Sequence, residues 1–335
     1  MRLRRLSLTL LFVLAFLAGP AWAQDAPAPD ENETDESAAP AEDQVPTYEL
    51  ALQIQPGKWV LKQQFDSESY ATVDGVGQPT QQLVIAAVVP MEISAAQDDL
   101  INASLEIQSL AVTVTVGTEQ LKYATGADQS EQNPMLADLL DPLDGSGMQM
   151  TLTRDGQVRS VKGRSEAVEN MTAANSAAAP MLQGLKNYFG DVASGDSATG
   201  QLLPDQAVRV GETWNATLSR SVDLLGKLSM SFTCQLDRID VSGDEEIATI
   251  SFTGTARDEQ GAGTMELGGS QVRIDSFQSE QSGQFRLDLK TGQIRQYQVR
   301  QTVKAKIAVD RASGTEKKVS LTRKSQIRWN LEAAE

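Results

Sequence analysis

Histidine is absent from the 335 residues, and there is one cysteine, Cys234. These two shortages exclude Ser-His-Asp and Cys-His catalysis, zinc sites built on His or Cys, histidine-held haem and an intrachain disulfide. Positive charge is scarce as well. With 29 Lys and Arg against 45 Asp and Glu, the formal charge is -16, the reverse of the basic footprint a nucleic-acid binder needs. Beyond the first residues no stretch is apolar enough to cross a membrane as a helix, which takes about 20 residues. Carboxylate chemistry, oxygen-ligand metals, or no chemistry at all remain.

What is present starts with a targeting segment, residues 1–23. Arg2, Arg4 and Arg5 form a basic region and Leu6 to Ala18 an apolar core of 13 residues; Ala21-Trp22-Ala23 then supplies a small-x-small cleavage site. The Arg4-Arg5 pair hints at a twin-arginine route, whereas the very apolar core favours the general secretory route. No cysteine near the cleavage site offers a lipid anchor. The expectation is a soluble protein, periplasmic or extracellular, cleaved near Ala23. Residues 24–46 carry eight acids, four prolines and no base. Such a composition cannot bury enough apolar surface to offset its ordering entropy, and predicts a disordered linker.

The body, 47–331, alternates apolar and polar residues, the signature of half-buried antiparallel strands. Tyr48-Leu50-Leu52-Ile54, Trp59-Leu61-Gln63-Phe65, Leu83-Ile85-Val89-Met91-Ile93 and Leu228-Met230-Phe232-Cys234-Leu236 each read as a strand. Cys234 falls on an apolar face and reads as core. Ala103-Leu105-Ile107 changes phase near Ser109 into Leu110-Val112-Val114-Val116, which calls for a bulge or bend. Residues 163–190 break the pattern, being alanine-rich and without period two. There Met181, Leu182, Leu185 and Phe189 fall at helical spacing. They read either as an apolar lid over a ligand cavity or as a helix packed on the sheet as core.

The strand order repeats. Pro56-Gly57-Lys58-Trp59 corresponds to Val210-Gly211-Glu212-Thr213-Trp214, and the runs that follow correspond in turn. The hairpin Leu152–Val158 matches Leu289–Ile294. Repeat one is 47–162, the helical insert 163–190, repeat two 201–300 and a C-terminal hairpin 301–331. Coincidence among generic hairpins is the alternative. This order resembles a family of exported bacterial proteins built on a domain of unknown function. The resemblance rests on Pro56-Gly57-Lys58-Trp59, Asp155-Gly156-Gln157-Val158, the segment 163–190 and Val210-Gly211-Glu212-Thr213-Trp214. It implies a duplicated β-rich domain with an Ala/Leu-rich helical insert, and it brings no catalytic residues with it.

Acidic clusters at Asp98-Asp99, Asp141 with Asp144, and Asp237 to Glu246 sit beside Gly, Pro or Ser, where turn chemistry accounts for them. None has EF-hand spacing. The C-terminal hairpin is more informative. Residues 286–328 carry 12 bases and 3 acids. Arg300, Lys304, Lys306, Lys318, Lys324 and Arg328 are all even-numbered, while the apolar residues of the same strands are mostly odd. Period two therefore predicts one basic face opposite the core, either a dock for an anionic envelope component or a solvated face that discourages edge pairing.

The sequence thus predicts an α+β, mostly β fold: a duplicated, strongly curved antiparallel sheet or open half-barrel with a short helical segment packed on it. The function it favours is a non-enzymatic binding or carrier module of the cell envelope for an apolar or lipid-like ligand. The alternatives are a structural or interaction protein docking an anionic partner through its basic face, and a carboxylate-dependent hydrolase. It assigns no catalytic residue, cofactor, metal or nucleic-acid partner. Five methionines (Met91, Met148, Met150, Met181 and Met230) suit an adaptable apolar lining or an ordinary core equally.

Overall fold

The computed structural model describes residues 46–95, 100–145, 147–153, 158–162, 198–222, 226–258, 264–267, 270–310 and 316–334. The signal segment, nearly all of the acidic linker, Asp98-Asp99 and the insert 163–190, with Met181, Leu182, Leu185 and Phe189, lie outside the described residues.

Alternation becomes strands almost throughout. They are β1 (Thr47–Tyr48), β2 (Gly57–Val73), β3 (Val76–Gly77), β4 (Gln81–Ala95), β5 (Leu100–Glu106), β6 (Ser109–Val116), β7 (Glu119–Ala124), β8 (Gly147–Thr153) and β9 (Val158–Lys162). After them come β10 (Val208–Arg209), β11 (Thr213–Val222), β12 (Gly226–Ser242), β13 (Glu245–Asp258), β14 (Thr264–Leu267), β15 (Ser270–Asp288), β16 (Ile294–Asp310) and β17 (Glu316–Ala333). All but β1 and β10, which pair with each other, join one antiparallel sheet. Its main path runs β11-β12-β13-β15-β16-β17-β2-β4-β5-β8-β9. A twisted open sheet rarely exceeds about ten strands without curling. This one is open and curved, as the alternation predicts.

Two runs of five strands share one pairing order, β2-β4-β5-β8-β9 and β11-β12-β13-β15-β16. Trp59 opens the first and pairs opposite Met91; Trp214 opens the second and pairs opposite Cys234. β17 joins the runs at the centre of the sheet. β16 begins at Ile294, so the strand crosses the boundary at residue 300 drawn from sequence.

The phase change near Ser109 is a bulge and also a fork. Between Met91↔Leu105 and Val88↔Ser109 lie three residues of one chain segment against two of β4. Pro90, which has no N–H to give the ladder, sits opposite this break, one of the few places a central strand tolerates proline. Past it β5 continues to β8, and β6 turns back to β7.

Residues 49–56 are not a strand, despite the alternation of Tyr48-Leu50-Leu52-Ile54. Their backbone docks on the β15–β16 turn instead. Gln53 N donates to Gly292 O at 2.7 Å, and Gln55 Nε2 to Thr291 O at 2.7 Å. Asp288, 3% exposed, shapes that turn by accepting from Lys290 N and Thr291 N, both at 3.1 Å, and from Arg295 Nη2 at 2.9 Å. Burial alone would raise its pKa, but these bonds outweigh burial and hold the carboxyl below its ordinary value.

The described residues include two short helices, α1 (Pro134–Leu140) and α2 (Ala198–Gln201). Asn133 caps α1 by accepting from Met135 N and Leu136 N, and Leu136 and Leu140 are fully buried. The Trp214 indole Nε1 donates to Leu202 O at 2.7 Å, fixing the chain just after α2. The main core gathers both sheet wings, α1 and residues 50–54. Across it Phe232, Phe252, Tyr297 and Trp329 contact one another in series, with centroids 5.7–6.1 Å apart. Gly254 and Gly283 make room for this row, since a Cβ at Gly254 would strike the Phe232 ring and one at Gly283 both the Gln298 carbonyl oxygen and the Phe252 ring.

Candidate functional site

On the inner face of the sheet, the face bearing the buried side chains, apolar residues are interrupted by a polar band. Two adjoining cross-strand rows compose it. One runs Ser69–Arg323–Val303–Ser279 and the other Ser67–Ser325–Gln301–Gln281, each crossing β2, β17, β16 and β15. On one side the next row is Phe65–Ile327–Val299, which belongs to the main core. On the other side lie Ala71, Leu321, Ala305, Val319, Ile307, Ile274, Val309 and Val272, all buried and none of them part of that core cluster. The inner face therefore carries two apolar fields with a hydroxyl-rich seam between them.

Arg323 is the one charged residue in this seam and is 2% exposed. Its Nε donates to Ser67 Oγ at 2.8 Å, and its guanidinium carbon stands 5.3 Å from the centre of the Phe65 ring. Nη1 is buried with no hydrogen-bond partner. Burial draws its pKa down to about 10, with no charge offsetting that cost. The group is still a cation at neutral pH. Elsewhere in the seam Gln301 Nε2 donates to Ser279 Oγ at 3.0 Å. The seam thus holds a buried cation with no counter-charge and a free donor, an arrangement that carries an uncompensated desolvation cost.

Sequence reasoning missed Arg323. The signal was its odd number, which puts it in phase with Leu321 and Ile327 and out of phase with the six even-numbered cations. Those six, Arg300, Lys304, Lys306, Lys318, Lys324 and Arg328, are all exposed on the outer face of β16 and β17. β2 brings acids to the same face. Arg328 Nη2 lies 3.2 Å from Asp66 Oδ2, and Lys324 pairs opposite Glu68. The Glu68 carboxyl is held below its ordinary value, first by Tyr70, then by Gln82 and the Lys324 charge. Lys318 stands 3.9 Å from Glu316. Among the described residues no ion pair engages Arg300, Lys304, Lys306 or Lys324.

A half-open groove of about 390 Å³ crosses the outer side of β4, β5, β8 and β9, lined by Glu92, Asn102, Gln149 and Lys162 among others. Asp237, Asp240 and Asp244 are engaged separately, by the Ser251 hydroxyl, by Arg238 with Arg286, and by Lys290 respectively. Among the described residues no three His, Cys, Asp or Glu side chains gather where they could hold a metal. Cys234 is fully buried, and burial pushes its thiol up to about 11. No described helix is long and apolar enough to cross a membrane.

Residues 98–294 match the model of the Family of unknown function (DUF6263). A comparison with curated proteins finds no match. Among solved structures, one concerned with lipid–protein interactions in lipovitellin is similar over 84% of this chain, at 12% identity and a TM-score of 0.44. That similarity spans 26% of the lipovitellin chain, about a quarter of its length. An outer membrane channel of Pseudomonas putida F1 is similar over 84% of this chain and 97% of its own, at 8% identity and TM-score 0.20. OpdK of Pseudomonas aeruginosa with vanillate is similar over 81% and 98%, at 8% identity and TM-score 0.17.

Proposed function

The chain belongs to the Family of unknown function (DUF6263), and we propose that it is an exported, non-enzymatic binding or carrier module of the cell envelope for an apolar or lipid-like ligand. Export is supported by the basic, apolar and small-x-small order of residues 1–23. The observation that carries the ligand reading is the second apolar field on the inner face. One core is enough to hold a domain together, and here it joins both wings, α1 and residues 50–54. The field from Ala71 to Val309 stands outside it, and the described elements that pack at length on β16 and β17 are their own sheet neighbours. The 1–8% exposure of the field's residues means that an apolar ligand would lie along them by displacing packed groups rather than by covering open surface. Native mass spectrometry of protein purified from its own host tests the reading. The expected result is added mass that organic extraction removes; a bare chain that also takes up no apolar probe would contradict it.

The outer face favours a second role alongside the first. Six cations point one way, and four of them are engaged by no ion pair among the described residues. Near an anionic surface each would contribute about 1 kcal/mol, screened beyond about 8 Å at physiological salt. Reversible docking of the carrier on an anionic envelope component follows. Co-sedimentation with anionic vesicles should fall with salt, and fall when Lys304, Lys306, Lys318 and Lys324 are changed to Gln. Equal binding by both proteins would remove this role.

A further inference from the structure

We propose that the Arg323 guanidinium binds the headgroup of a monoanionic amphiphile, a carboxylate or a phosphodiester, whose apolar tail lies along Leu321, Ala305, Ile307 and Val319. This deepens the carrier reading and rests on it.

The argument starts from what a buried arginine requires. A guanidinium has five N–H donors in a planar fork, and taking its charge out of water costs several kcal/mol unless an anion compensates. Arg323 has one firm partner, the neutral Ser67 hydroxyl, and a ring face beside it. Neither cancels a charge, and Nη1 has no partner. As a structural residue alone, a methionine of similar length would serve better in such surroundings. The cost makes sense when the chain has a bound state in which an anion meets the fork.

The surroundings specify what carries that anion. A small inorganic ion needs polar groups on every side. Here the seam is two rows wide and bounded by apolar residues along both edges. The species that fits has one charged end and one long apolar end. The charge is set by the single guanidinium, because Arg323 is the one cation in the two seam rows, and Lys317, opposite Val309 at the far end of the apolar field, is paired with Asp74 at 3.8 Å. Ser69, Ser325, Ser279 and Gln301 can take up headgroup oxygens that Arg323 does not reach. Because the seam and the tail positions are buried in the ligand-free chain, association should be far slower than the usual 10⁵–10⁷ M⁻¹s⁻¹.

The test compares three ligands sharing one chain: oleate, oleyl alcohol and an oleyl phosphodiester. Each is titrated by calorimetry into the delipidated full chain, and then into Arg323→Met and Ser67→Ala. The expected result is that the unsubstituted chain binds one or both anions at least tenfold tighter than the alcohol. The preferred anion identifies the headgroup. Arg323→Met should bind all three ligands equally, at the affinity the alcohol already has, and Ser67→Ala should lose part of the preference. If oleate, phosphodiester and alcohol bind the unsubstituted chain equally, the carrier reading stands and the role of Arg323 falls. If Arg323→Met keeps the preference, that role also falls. If none of the three binds, both fall together. Should Arg323→Met not fold, the three-ligand comparison on the unsubstituted chain and the Ser67→Ala series still decide the matter.

Discussion

Arg323 on β17 reaches Ser67 on β2 through Nε at 2.8 Å, a bond closing 256 residues of chain at the centre of the sheet. The two strands run side by side from Val319↔Val73 to Ala333↔Trp59, so the bond is not needed to align them. It gives a buried donor an acceptor. Ser67→Ala should lower stability by about 1–3 kcal/mol, the cost of an orphaned buried donor. Arg323→Met removes donor and charge together and should leave stability equal or higher. Urea unfolding of both variants checks this. A loss in Arg323→Met larger than in Ser67→Ala would show that the guanidinium is a structural strut.

Asp288 holds the β15–β16 turn on which residues 50–55 dock. Removing it as Asp288→Ala leaves Arg295 without its partner and two backbone N–H groups without theirs, and should cost about 3 kcal/mol. Its folded pKa is lowered, so its stabilisation is present above the unfolded value of 3.8 and is lost as pH falls through the folded value. Acid unfolding of Asp288→Asn should lack this part of the pH dependence. An unchanged acid limb would assign it to other carboxylates.

The Cys234 thiol lies at 9.0 when unperturbed and is pushed up to about 11 by burial. The unfolded chain therefore gives up this proton first, and stability should fall as pH rises from about 9 to about 11. Tyr123, pushed up to about 12 chiefly by burial, extends the fall upward. At pH 8 a thiol reagent should label Cys234 only at the rate of unfolding. Prompt labelling of native protein would place the thiol at an accessible surface.

Gly254 and Gly283 are close-approach positions beneath the Phe232 and Phe252 rings. Alanine at either should cost about 1–3 kcal/mol through overpacking and disturb near-ultraviolet circular dichroism from the aromatic row. An unchanged stability and spectrum in Gly254→Ala, where the nearest atoms to an added Cβ all belong to Phe232, would mean that ring lies elsewhere.

Period two was enough to read the strands, the burial of Cys234 and the outward direction of the six cations, because alternation on a pleated strand is a local property. The bulge near Ser109 was legible for the same reason, as a one-residue change of phase. Its role as a fork was not, since it depends on which distant strands pair with each half. Leu50, Leu52 and Ile54 misled because alternation marks a docked extended segment as readily as a strand. α1 was overlooked although Asn133-Pro134, with Leu136 and Leu140 four apart, carries the start of a helix in seven residues. The charge of the outer face needed Asp66 and Glu68 from β2, some 260 positions away from Arg328 and Lys324. Arg323 was in plain view as an arginine in the apolar phase, but its meaning depended on Ser67, Ser69, Ser279 and Gln301, which come from three other strands.

The most direct test follows the carboxyl carbon of ¹³C-labelled oleate bound to the chain by NMR, as pH is lowered from 8 to 4. Paired with the Arg323 guanidinium, the carboxylate should stay ionised across this range, and its resonance should hold its position. In Arg323→Met the same resonance should titrate. A bound carboxyl that titrates alike in both proteins would contradict the anchoring of an anionic headgroup by Arg323.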